Sequence, residues 1–150
     1  MAGKLPSRGV LVVGSSLAGV SLGQTQAKVK ALWGGRYTVC NKTEAPCPDP
    51  TWLYFYPSGT LVGAGVRFRN NKVAAVFTLG ATPGWKSVEG AAVADPASKV
   101  YELYGNPTYS KCIGYEALSV RKNGVVTSFY LTSGVIYGFA ITAPGLTVCQ

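Results

Sequence analysis

The chain has no histidine, a single methionine and few charges: Asp, Glu, Lys and Arg make up 13% of its 150 residues. Without histidine it lacks the commonest general base and the commonest metal ligand. The six acids, Glu44, Asp49, Glu89, Asp95, Glu102 and Glu116, form no motif with a catalytic spacing. No ligand set for haem or a transition metal is left, and no cofactor is expected. Gly63-x-Gly65 has neither the third glycine nor the following helix of a dinucleotide loop. No apolar run reaches the ~18–20 residues that cross a bilayer as a helix. These shortages lead away from an enzyme and towards a binding or structural role.

What is present is apolar and basic. Hydrophobic residues make up 47% of the chain, too many for a disordered one. A chain of this length buries roughly 68–70% of its extended surface, enough for one compact unit. Fourteen Lys and Arg stand against six Asp and Glu, a net charge of +8. Such a balance favours polyanions or an acidic partner, or serves solubility where the charges are scattered, as they are here.

Four cysteines, Cys40, Cys47, Cys112 and Cys149, point to disulfides and an oxidising compartment. Neither gap has the spacing of a zinc pair, and a catalytic thiol would want a histidine. Three pairings are open. Chain order and the duplication below favour Cys40–Cys47 and Cys112–Cys149. The opening "MAGKLPSRGVLVVGSSLAGVSLG" has the early charge and apolar stretch of a signal peptide. Gly14-Ser15-Ser16 interrupts that stretch, so it reads as the first segment of the folded domain. The expected location is the cell envelope or the exterior, with the export signal already removed.

The segment Ser21 to Gly35 reads as a helix capped by Thr25 and stopped by Gly34-Gly35, with Val29, Leu32 and Trp33 on one apolar face. Capping accounts for Thr25 better than a nucleophile–lysine pair with Lys28 does. The Lys-Val-x-x-Leu-aromatic-Gly of this helix recurs 71 residues later in "DPASKVYELYG", where Asp95 is the expected N-cap and Pro96 the first helical residue. Each helix is followed by an aromatic (Tyr37, Tyr109), a cysteine (Cys40, Cys112) and three strand-like runs. The last hairpins align with Phe68 on Tyr130, Val73 on Val135 and Phe77 on Phe139. The expected fold is therefore α+β: two tandem helix–three-strand repeats, residues 10–80 and 81–150, forming one curved antiparallel sheet with helices on one face. One such unit of about 65 residues is marginal alone, and two share a core.

Leu22-Gly23-x-Thr25-x-x-x-Val29 resembles a motif in which Leu/Phe-Gly-Met-Thr precedes a helix that carries Val and ends at Gly. That motif opens each half of the β-lactamase inhibitory protein family. It also opens the single unit of the small lipoproteins of the outer-membrane barrel-assembly machinery. The tandem order is similar to the inhibitors, and the wider pattern resembles secreted bacterial proteins with no assigned activity. The resemblance covers roughly residues 14–143. The second half departs from it, with Ala94 in the place of Gly23 and Pro96 in that of Thr25. It implies helices packed on one face of an antiparallel sheet. In the inhibitors an acidic residue beside aromatics enters the target's active site, and Asp49 of Asp49-Pro50-Thr51-Trp52 is the loose counterpart.

Side chains alternate along a strand. Placing Leu53, Phe55, Val66 and Phe68 under the helix leaves Trp52, Tyr54, Tyr56, Arg67 and Arg69 on an open sheet face, with Gly63 and Gly65 making room for the rings. Trp, Tyr and Arg are the residue types of binding hot spots. The expected role is non-enzymatic binding of a protein or cell-envelope component through that face, with Asp49 beside it. Inhibition of a secreted or periplasmic enzyme and a structural envelope role remain alternatives. The same residues suit base stacking, but no RRM, KH or OB signature accompanies them and nucleic acid is not expected. Asn41-Lys42-Thr43 matches a glycosylation acceptor, whose meaning depends on the host.

Overall fold

Tight turns set the hairpins. Asn70-Asn71, Asn123-Gly124 and Ser133-Gly134 hold positive φ at both positions, the turn geometry whose twist matches paired strands. They join β6 (Val62–Arg69) to β7 (Lys72–Thr78), β10 (Tyr115–Lys122) to β11 (Val125–Thr132), and β11 to β12 (Val135–Thr142). With β4 (Tyr37–Cys40), β5 (Thr51–Phe55) and β9 (Thr108–Cys112) they form an eight-stranded sheet in the order β4-β5-β6-β7-β12-β11-β10-β9. The computed structural model describes residues 4–40, 49–55, 62–81 and 83–150.

A second sheet has the order β3-β2-β1-β8, from β1 (Val10–Val12), β2 (Ser16–Leu17), β3 (Val20–Ser21) and β8 (Lys86–Ser87). Leu11, Leu17 and Val20 of this sheet are fully buried with Trp85, with Val29 and Trp33 of α1 (Gln26–Trp33), and with Val100 of α2 (Ser98–Tyr104). Their counterpart is one face of the large sheet, carrying Trp52, Val66, Phe68, Val76, Leu118, Phe129, Phe139 and Ile141. The opening segment thus belongs to the folded domain, with Leu11 and Val13 in the core.

The protein is β-rich and not the expected α+β fold. Among the described residues there are twelve strands in two sheets, and the helices have only 8 and 7 residues. The helices do not form the covering layer by themselves; they share it with the second sheet. Each half of the large sheet has four strands rather than three, because the aromatic–cysteine segments are the outermost strands β4 and β9. The short strands were not legible because Ala18-Gly19, whose positive φ closes β2 onto β3, offers no Asn-Gly or Asp-Gly signal.

The two helices are tied to the sheet by the same pattern of bonds. Gly23 N–H donates to Val73 O, and Val73 N–H to Gln24 O; Ala94 N–H donates to Ile136 O, and Ile136 N–H to Asp95 O. By this pattern Val73 corresponds to Ile136, one residue beyond the alignment read from the sequence. Both hairpins also slip register at a matching place, after Arg67 and after Tyr130. Thr25 caps α1 as expected, its hydroxyl accepting from Lys28 N–H. Asp95 does not cap α2: its carboxylate accepts from Ala92 N–H, closing the preceding turn, and α2 starts at Ser98 without a side-chain cap.

Ala94 stands where the first half has Gly23, and both hold positive φ, 79° and 85°. For alanine this region is strained by about 1 kcal/mol or more. Ala94→Gly is therefore expected to raise the melting temperature by about 2–4 °C, as a gain of about 1 kcal/mol does in a domain of this size; differential scanning calorimetry reads the shift.

Candidate interaction surfaces

The cross-strand register decides which predicted side chains are free. Trp52 pairs with Val66, and Tyr54 with Ala64. Partners share a face, so both rings lie on the core side with Val66 and Phe68. Trp52 is 6% exposed and Tyr54 1%. Tyr37 stacks on Trp52 at 3.9 Å, Trp33 meets Tyr54 edge-on at 5.5 Å, and the Tyr54 hydroxyl donates to Gly34 O. Trp52 and Tyr54 are thus core residues, contrary to their expected place on an open face. Leu53 and Arg67 lie on the opposite face, and the ring for which Gly65 makes room is Phe77: a methyl group at Gly65 would sit 2.2 Å from it. Tyr56 lies outside the described residues.

Asp49, Arg67 and Arg69 do come together. Asp49 Oδ2 accepts from Arg67 Nε at 2.9 Å and Nη2 at 2.6 Å, and from Arg69 Nε at 2.9 Å. Burial pushes the Asp49 carboxyl up, but the hydrogen bonds and charges of the two arginines outweigh it and hold the group below its ordinary 3.8. Arg67 is buried and Arg69 half exposed. Arg69 and Asp49 line a groove of about 460 Å³ with Gln26, Pro50, Phe68, Asn70 and Asn71. The groove is absent from the sequence reading. Asp49 and Arg69 were singled out from the sequence, but of the groove's amides Asn70-Asn71 marked only a turn and Gln26 gave no signal.

The second half presents a different surface. Residues 143–150 fold back over the face of β10–β12 that points away from the core. Cys149 at the end of this segment is bonded to Cys112 of β9, one of the two expected disulfides. Cys40 is also disulfide-bonded; Cys47, its expected partner, lies outside the described residues. Under the segment, Phe77, Ala117, Tyr130 and Ala140 form a second buried cluster joined by Tyr115, Tyr137 and Val148. Burial keeps these phenols protonated: it raises Tyr130 and Tyr115, and it pushes Tyr137 up to about 12, with Tyr115 adding to the effect. On the core side, burial pushes Tyr104 up to about 12, where Ser87 opposes and Glu89 reinforces the shift. A polar groove of about 370 Å³ adjoins the cluster, lined by Tyr109, Lys111, Tyr115 and Glu116, and Ile113 stands 99% exposed at the β9–β10 turn.

Two further carboxylates are held by phenols. Glu116 accepts from the Tyr109 hydroxyl and Glu89 from the Tyr104 hydroxyl. Among the described residues no group of three or more Cys, Asp or Glu is placed to hold a metal ion, and no helix is long and apolar enough to cross a membrane. No protein-family model matches the chain, and neither does any curated protein or solved structure.

Removing the Asp49 carboxylate strands a buried guanidinium. Asp49→Ala should cost about 3 kcal/mol in urea unfolding, and Arg69→Ala less than about 1 kcal/mol, because its side chain is half solvated. The tyrosines set an alkaline limit. A phenol raised in the folded state contributes stability that is complete below pH 10 and lost as pH rises through the folded value, about 12 for Tyr104 and Tyr137. Absorbance at 295 nm should therefore show Tyr104 and Tyr137 still protonated at pH 10 and ionising only as the pH nears about 12 or the protein unfolds.

Proposed function

We propose that this is an exported, non-enzymatic binding protein for a protein or cell-envelope partner, and that its contact surface is the groove at the β6–β7 turn. One observation carries the reading. Asp49 fixes Arg69, half exposed, at the rim of a groove that Gln26, Asn70 and Asn71 line with amide groups. A guanidinium held in place before binding loses little side-chain entropy on contact, which favours affinity. Arginine is also among the residues that dominate binding energies. A partner that offers carboxylate or carbonyl oxygens matches this set. The Cys112–Cys149 disulfide supports an oxidising location.

Inhibition of a secreted enzyme by Asp49 has less support. The carboxylate already accepts three hydrogen bonds from its own arginines, and it would have to leave them to enter another active site.

Affinity capture from the extracellular and envelope fractions of the native host tests the proposal. The wild type should retain a partner that Arg69→Ala and Gln26→Ala each release, with binding weakened about tenfold or more and the melting temperature unchanged within 2 °C. Equal capture by all three proteins rules the groove out. Inhibition of a panel of secreted hydrolases by the wild type and not by Asp49→Asn would replace the proposal with the inhibitor reading.

A further inference from the structure

Residues 143–150 lie on the sheet as a separable layer. Ala143 N–H donates to Ala74 O at the root of the segment, and Leu146 N–H donates back to Ala143 O. From residue 144 onward no main-chain bond joins the segment to a strand. The ladders of β10, β11 and β12 are complete without it. What holds it are side chains of the sheet gripping its backbone. The Tyr130 hydroxyl donates to Val148 O at 2.5 Å. The Tyr115 hydroxyl donates to Gln150 O at 2.7 Å and accepts from Gln150 N–H at 2.6 Å. Only Val148 and Cys149 contribute side chains to the buried cluster, while Pro144, Gly145 and Thr147 face solvent.

This is the chemistry of peptide recognition carried out within one chain. Backbone groups are read by fixed phenols, whatever the side chains of the segment, and one aliphatic residue fills the space between rings. Tyr115 stands edge-on to Tyr130 at 5.4 Å and to Tyr137 at 6.1 Å, which fixes the shape of that space. The adjoining groove of about 370 Å³, with Tyr109, Lys111 and Glu116 on its wall, shares Tyr115 and Cys112 with the site and continues it beyond the segment.

We infer that the Tyr115–Tyr130–Tyr137 face of β10–β12 is a docking site for an extended peptide segment of a partner protein, occupied here by residues 146–150 as an intramolecular ligand that the Cys112–Cys149 disulfide locks in place. The partner's segment carries an aliphatic residue where Val148 sits and offers main-chain carbonyls to Tyr130 and Tyr115. While the disulfide is closed, the chain's own segment excludes it. A dithiol reductant opens the lock: two electrons and two protons pass to the Cys112–Cys149 bond, which becomes two thiols, and the reductant closes its own disulfide. The site is separate from the β6–β7 groove, so either can fail without the other.

The test uses the full chain. Val148→Asp with Cys112→Ser and Cys149→Ser releases the segment and leaves the sheet unchanged. The probe is a fluorescein-labelled peptide of residues 143–150 carrying Cys149→Ser, followed by anisotropy. The released variant should bind it at least about tenfold more tightly than the oxidised wild type. Val148→Asp in the peptide should abolish binding. Adding Tyr130→Phe to the released variant, which keeps the ring and removes the donor, should weaken binding about three- to tenfold. Amide exchange should show β10–β12 still protected in the released variant. Equal binding to the variant and the wild type would overturn the inference. So would loss of protection across β10–β12, which would make the segment part of the core. A released variant that dimerises on a sizing column would assign the site to a second copy instead and would also overturn it.

Discussion

The pairing of β7 with β12 makes two half-sheets into one protein. Phe139 lies opposite Thr78, Ala140 opposite Phe77, Ile141 opposite Val76 and Thr142 opposite Ala75, and all eight residues are buried. At this seam the Thr78 hydroxyl also accepts from Phe139 N–H. Gly138 lets the backbone close in: a methyl group there would lie 2.2 Å from Thr78 O. Because the seam runs through the middle of the sheet, its core-side face is continuous from Trp52 to Leu118, and a single covering layer serves both halves. Neither the groove at the β6–β7 turn nor the segment over β10–β12 would have a fixed base without it.

The two halves then diverge in what they build on similar frames. In the first half ten residues separate β4 from β5, and Asp49, near the end of that stretch, reaches two arginines. At the same place the second half has only Ile113-Gly114. In exchange it has the returning segment 143–150. The same bonding of helix to hairpin therefore supports a polar rim on one side and a tyrosine-lined face on the other.

Much of this was readable from the sequence, and the errors have a common origin. Local signals gave the positions of both helices and the hairpin turns, because glycine and asparagine act over a few residues; the Cys112–Cys149 bond, between residues 37 apart, was expected from chain order and the proposed duplication. The fold class was misjudged because strands of two or three residues, such as Ser16–Leu17, are too short for a period to appear. The face of β5 was misassigned for another reason. Alternation says that Trp52 and Leu53 point opposite ways, but which of them faces the core depends on pairing with β6, and Trp52 falls opposite Val66. That single parity moved two aromatics from the surface to the core. The Asp49–Arg67–Arg69 cluster was found because its members were singled out by chemistry; the amides of the groove were not, since they come from a helix start and a turn far apart in the chain.

The cysteines have a further consequence. Cys40 ends β4 and Cys112 ends β9, the two outermost strands of the large sheet, and both are disulfide-bonded. An outer strand leaves one row of amides and carbonyls without a neighbour, which invites fraying and edge-to-edge addition of foreign strands. Covalent ties at these two places restrain the first strands to detach. They guard the protein against aggregation at its margins, where the hydrophobic core has least hold.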